Sequence, residues 1–238
     1  MNQKTNEPMA NYLPDQIVLL GDSIFDNSPY VNTGESVSEQ LAELIQKEAM
    51  KTAAGVNSTT TQVELLAVDG HVLADLPGQI ARARAKKHFK TQRAYLSCGG
   101  NDLLGYAASG LLEINVNNIG EALSSLHQVR EHFRENYRHM LNVTLRKFPM
   151  LTICTIYDGV PNLSSSQAVA LGIFNEVILR EAAECQLPVL DLRVICNQVE
   201  DYSPISPIEP SKQGAAKIAQ AILKQHNQYN HKIWEINQ

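Results

Sequence analysis

The residues of this chain with chemistry to offer lie in three short segments. Gly21-Asp22-Ser23 closes the apolar run Ile17-Val18-Leu19-Leu20 and sets a hydroxyl at the carboxyl end of a buried strand. Open α/β sheets place their chemistry at such strand ends. Leu96-Ser97-Cys98-Gly99-Gly100-Asn101-Asp102 ends a second apolar run with flexible backbone followed by a side-chain amide. Pro207-Ile208-Glu209-Pro210-Ser211-Lys212-Gln213-Gly214 brings a carboxylate just ahead of the last helical stretch. Gly, Asp and Ser are all common in turns, so the first segment alone is weak. The set is stronger, because two strand ends of one sheet can meet at one site.

In this order the segments resemble the SGNH (GDSL) hydrolase superfamily, and the resemblance runs over about residues 16–222. It implies a single domain with a flavodoxin-like, three-layer α/β/α sandwich around a mainly parallel five-stranded sheet. It implies ester hydrolysis of the esterase, lipase, thioesterase or carbohydrate deacetylase kind, on a small-molecule ester, with no cofactor and no metal. Ser23 resembles the family nucleophile, and Asn101 its side-chain oxyanion donor. Gly70, in Ala67-Val68-Asp69-Gly70-His71, looks like the glycine whose backbone N–H joins the oxyanion hole. Asp22, His71 and Gly100 flank these positions and are the candidate substrate contacts.

The last segment departs from the pattern. Similar proteins carry Asp-x-x-His-Pro-Ser there, with the His as general base, whereas this chain has Ser206 and Glu209 in place of the Asp and the His. In triad logic the carboxylate orients an imidazole and stabilises the imidazolium. A Glu base has no ring N–H to orient, and an Asp beside it would add a like charge. The difficulty is basicity. Exchanging His for Glu forfeits about two pKa units, or roughly 3 kcal/mol of proton affinity. Ile205, Pro207, Ile208 and Pro210 would return some of it by desolvating the carboxyl, while a hydrogen bond from Ser206 would act against that. His71, Asp26 and Asp201 are the alternative bases. A second function follows from the missing His-Asp pair: an inactive domain that binds an acyl, ester or sugar ligand. A flavin or nucleotide binder is disfavoured by the lack of G-x-G-x-x-G and Walker A motifs.

The elements that must hold these groups follow from periodicity. Strands are expected at 17–20, 62–68, 94–97, 151–156 and 188–190, separated by helical stretches at 36–50, 73–87, 119–148, 166–185 and 212–224. Such alternation is the signature of βαβ units and a parallel sheet. Leu123, Leu126, Phe133, Tyr137, Met140, Leu141 and Leu145 form a core stripe, and Arg130, Glu131, Arg134, Glu135 and Arg138 read as its solvated face. Residues 157–163 are expected beside the substrate, and 105–117 as a flap over it. Apart from His71, the histidines, His226 included, read as surface residues.

Composition excludes other classes. A length of 238 residues with 44% hydrophobic and 19% charged residues suits one globular domain. A net charge of -5, with no dense basic run, gives nothing for nucleic acid to bind. Cys98, Cys154, Cys185 and Cys196 are scattered without metal spacing and suit reduced core thiols. No apolar run approaches the ~20 residues of a membrane span, and the first residues lack a signal region, so a cytoplasmic location is expected. Oligomeric state is not legible.

Overall fold

The computed structural model describes residues 13–52, 61–105 and 115–236. Its sheet consists of β1 (Gln16–Gly21), β2 (Gln62–Leu65), β3 (Gln92–Ser97), β4 (Leu151–Cys154) and β5 (Val189–Leu190). All four pairings are parallel, in the order β2-β1-β3-β4-β5. This is the flavodoxin-like order. The helices are α1 (Val37–Thr52), α2 (Leu76–Arg82), α3 (Gly100–Leu103), α4 (Ile119–Lys147), α5 (Ser165–Glu184), α6 (Leu192–Ile195) and α7 (Lys212–Ile236).

Strand residues alternate between two cores, as a period of two requires. Val18 and Leu20 of β1 join Phe133, Tyr137, Phe174 and Ile178 under α2, α4 and α5. Ile17 and Leu19 join Val37, Leu41, Ile218 and Ile222 under α1 and α7. Both faces of β1 and β3 are covered, so these central strands are buried along their whole length. Cys98, Cys154 and Cys196 are free thiols in these cores, and Cys185 is free and half-buried.

Several expectations are corrected. The stretch 73–87 is not one helix but a 3-10 turn at Leu73–Asp75, α2, and a second 3-10 turn at Lys86–His88. Pro77 sits in the first turn of α2, where its missing N–H costs nothing; deeper in a longer helix it would break a hydrogen bond. β2 stops at Leu65 because the N–H groups of Leu66 and Ala67 both turn to the Leu19 carbonyl. β4 stops at Cys154, after which the Asn175 amide takes over the backbone, pairing with both Ile156 N–H and C=O at 2.8 Å. α7 continues beyond 224 to Ile236.

The basic face of α4 is solvated only in part, with Glu135 and Arg138 exposed and Arg130, Glu131 and Arg134 half-buried. Arg130, Arg134 and Arg138 reach across to Glu176, Glu181 and Glu184 on α5, and Glu181 is 1% exposed. His226 is buried rather than at the surface. Residues 106–114, most of the expected flap, lie outside the described residues.

Candidate active site

The strand order reverses next to β1, since β2 lies on one side of it and β3 on the other. Ligands of open sheets bind outside the carboxyl ends of the strands at such a switch point. Ser23 follows β1 there, and Asn101 follows β3.

Gly21 allows the approach. It has a φ of +127°, and a β-carbon on it would lie 1.7 Å from the Ser97 carbonyl oxygen of β3, so no other residue fits. Its peptide is gripped at both ends by the buried Gln79 of α2: Gly21 N–H donates to Oε1 at 2.9 Å, and Nε2 donates to the Gly21 carbonyl at 2.7 Å. Beyond it, Asp22 N–H donates to Ser97, and the Asp22 carbonyl accepts from Phe25 and Asp26. The Asp22 carboxyl accepts from Ile24 N–H at 3.2 Å. This closed turn fixes Ser23 at its apex. Asp22 itself is buried beneath, and burial pushes its pKa up to about 7 against the pull of that backbone hydrogen bond, with the charges of Asp102 and Glu209 adding to the rise.

Glu209 arrives from the other end of the chain. Its carboxylate accepts from the Ser206 hydroxyl, and the Ser23 hydroxyl lies near enough to favour its charged form. Burial raises its pKa, the two hydroxyls oppose the rise, and the charge of Asp69 adds to it. Its loop is held on all sides. Ser203 N–H donates to the Glu209 carbonyl at 2.8 Å, and Tyr157 Oη donates to the Ile208 carbonyl. Asn27, fully buried, donates from Nδ2 to the Pro210 carbonyl at 3.0 Å and accepts from Val37 N–H at 2.9 Å. One side chain thus ties the serine loop, the Glu209 loop and the start of α1 together.

The Pro-Ser-x-x-Gly signature now has a structural reason. Ser211 Oγ accepts from the N–H groups of Gln213 and Gly214, capping α7. A β-carbon on Gly214 would stand 2.1 Å from the Asp201 carbonyl oxygen. Asp201 is fully occupied in this corner, paired with Lys217 at 2.7 Å and accepting from Gln213 and Gln198 N–H. Asp26 accepts from Asp69 N–H and so brackets the loop after β2.

Asn101 donates one amide N–H to the His71 carbonyl at 2.9 Å, which orients its second N–H. The His71 ring lies with Nδ1 3.0 Å from Gln79 Nε2. An amide nitrogen only donates, so Nδ1 accepts and the ring proton sits on Nε2. Asp102 accepts from Leu73 N–H, and burial pushes its pKa up to about 6.

Ser23, Gly100, Asn101 and Glu209 open on one cavity of about 280 Å³. Asp22, Gly70 and His71 do not line it: Asp22 is buried below, and Gly70 sits in an exposed turn on the β2 side. Tyr157, Val160 and Leu163, from the loop expected beside the substrate, do line it. Gln79 and Asn27 gave no signal in the sequence, since a lone amide in a helix or loop shows its role only through contacts 58 and 183 residues away.

The sequence matches the model of the GDSL-like lipase/acylhydrolase family over residues 19–217. The chain belongs to that family. This GDSL-like protein is therefore an ester-bond hydrolase. No curated protein matches it. Its fold is similar to that of a lipolytic protein of the G-D-S-L family from Veillonella parvula, with 16% identity, a TM-score of 0.59, and coverage of 88% of this chain and 96% of that one. It is similar also to an acetyl xylan esterase, Axe2, from Geobacillus stearothermophilus, with 15% identity, a TM-score of 0.61, and coverage of 90% and 94%. A lipase/acylhydrolase from Enterococcus faecalis aligns with 18% identity, a TM-score of 0.56, and coverage of 89% and 94%. Among the described residues, no helix is long and apolar enough to cross a membrane.

Proposed function

We propose that this GDSL-like hydrolase cleaves small-molecule esters through a Ser23–Glu209 dyad in which a carboxylate replaces the usual imidazole. The observation that carries the reading is that the Ser23 hydroxyl and the buried Glu209 carboxylate line the wall of one cavity together with the Asn101 amide, near enough for Ser23 to act on the Glu209 charge. Ser23 Oγ attacks the ester carbonyl, and its proton passes to Glu209. The oxyanion is held by the second N–H of Asn101 and the backbone N–H of Ser23. Protonated Glu209 then gives its proton to the leaving alcohol. Water enters, loses a proton to Glu209, and releases the acid by the reverse sequence.

The charge logic differs from that of a Ser-His-Asp triad. Taking the proton neutralises Glu209 instead of creating a cation, so no second carboxylate is needed to balance it. A neutral hydroxyl suffices as its positioning partner, and Ser206 is one. Burial supports the base, because a desolvated carboxylate binds a proton more tightly.

The test is turnover of short aryl esters by the wild type beside Ser23→Ala, Glu209→Gln and Asn101→Ala. Glu209→Gln is expected to lower kcat by about 10²–10⁴-fold, Asn101→Ala by about 10²–10³-fold, and Ser23→Ala to abolish turnover. Wild-type activity retained by Ser23→Ala or Glu209→Gln sinks the dyad.

A further inference from the structure

We propose that the cavity beside Ser23 is an acyl pocket that makes this enzyme selective for medium-chain acyl esters, of about eight carbons, over acetate. The inference rests on Ser23 being the nucleophile and names the substrate class of that site.

Few of the residues that line the cavity are polar. Besides Ser23, Asn101, Glu209 and the side chain of Gln167, the lining is apolar and comes mostly from three separate segments. Leu103 and Leu104 follow Asn101, Ile156 and Val160 follow β4, and Ala170 and Leu171 come from the first turns of α5. An acetyl group would touch almost none of this wall. Apolar lining without a matching apolar ligand leaves its contacts unmade, and ligand sites of this kind reserve a few polar groups for orientation.

The volume sets the length. An apolar cavity of about 150 Å³ holds benzene, with six carbons. At that density, about 280 Å³ takes roughly eleven carbons, and about eight once the carbonyl and its donors have room.

The chemistry decides which half of the ester enters. The leaving alcohol must depart and be replaced by water before the acyl-enzyme is hydrolysed, so it needs an open path. The acyl chain stays attached to Ser23 through both steps, and a mostly apolar cavity beside Ser23 suits the group that stays.

The experiment is the chain-length dependence of kcat/KM on p-nitrophenyl esters from acetate to dodecanoate, with octyl acetate and methyl octanoate compared as substrates, and the thermal shift given by sodium octanoate against sodium acetate. Burying each added methylene raises kcat/KM by about fourfold until the cavity is full, so octanoate is expected to exceed acetate by well over a hundredfold, with methyl octanoate preferred to octyl acetate. Ala170→Phe fills the wall and lowers the octanoate-to-acetate ratio by about tenfold or more. Its melting temperature and circular dichroism verify that it folds, and the wild-type octanoate shift stands independently of that variant.

Acetate turned over as well as octanoate, or octyl acetate preferred, overturns the pocket and leaves the serine mechanism intact. No hydrolysis, but stabilisation by octanoate and none by acetate, overturns the mechanism and keeps the pocket. Neither hydrolysis nor octanoate binding overturns both.

Discussion

At Glu209 two effects compete: burial favours the neutral acid, and the Ser206 and Ser23 hydroxyls favour the carboxylate. The rise in pKa shows that burial wins. In the proposed dyad the base must be ionised to accept a proton, so activity is expected to rise with pH along a limb set by Glu209, above the ordinary glutamate value of 4.5. Asp22 provides a separate prediction on stability. Its folded pKa of about 7 exceeds its ordinary 3.8, so the folded protein holds this proton more tightly than the unfolded chain. That contribution is complete below about pH 4 and is lost as pH rises through 7, at ~1.4 kcal/mol per unit at most. Asp22→Asn carries no charge at any pH, so its melting temperature is expected to gain on the wild type between pH 5 and pH 8; a constant difference in scanning calorimetry across that range would refute it. Ser23 and Asn101 were legible because each follows a strand end marked by glycine. The role of Asp22 was not, because a residue beside the nucleophile shows its burial only when β3 and α3 close over it.

The elements that hold the site are braced by polar contacts across long stretches of chain. The α4–α5 pair is the clearest case. Glu181 is 1% exposed and accepts from both Arg134 and Arg138, whose side chains are 22% and 48% exposed. The two sides of this cluster are unequal. Without Glu181 the arginines still reach water and Glu184; without the arginines a carboxylate is stranded in the interior, a loss that typically costs about 3–5 kcal/mol. The Arg134→Ala/Arg138→Ala double variant is therefore expected to unfold at lower denaturant than Glu181→Leu, and the reverse order in urea titrations would disprove the asymmetry. Sequence periodicity located both helices to within a residue or two, because apolar spacing is a local property. It missed that the charged face of α4 pairs with α5, because opposite charges on two helices look solvated until the helices are seen to meet. Pro77 likewise announced a break in the second helical stretch that apolar spacing overlooked.

On the scale of the molecule, α7 lies along one face of the sheet with α1, and His226 is caught between them with neither ring nitrogen hydrogen-bonded. Burial pushes its pKa down to about 4, Arg93 adds to the fall, and Asp15 and Glu48 oppose it. Here the unfolded chain binds the proton more tightly, so this contribution to stability is present above about pH 6.5 and is lost as pH falls towards 4. His226→Phe removes two unsatisfied polar atoms and the titration together. It is expected to raise the melting temperature at pH 7 and to widen that advantage at pH 5; an advantage that shrinks on acidification would contradict the assignment. The sequence by itself determined the alternation of strands and helices, since apolar runs and period-3.6 stripes are written residue by residue, while the flavodoxin-like layers came from the family resemblance. It also determined the hydroxyl and the amide of the site, since Gly21 and Gly99 mark where strands end. The tertiary structure alone decided how Asn27 and Gln79 lock the loops, and that Ser23, Asn101 and Glu209 open on one largely apolar cavity. These depend on contacts between segments far apart in the chain, and such contacts exist only once both faces of the sheet have been packed.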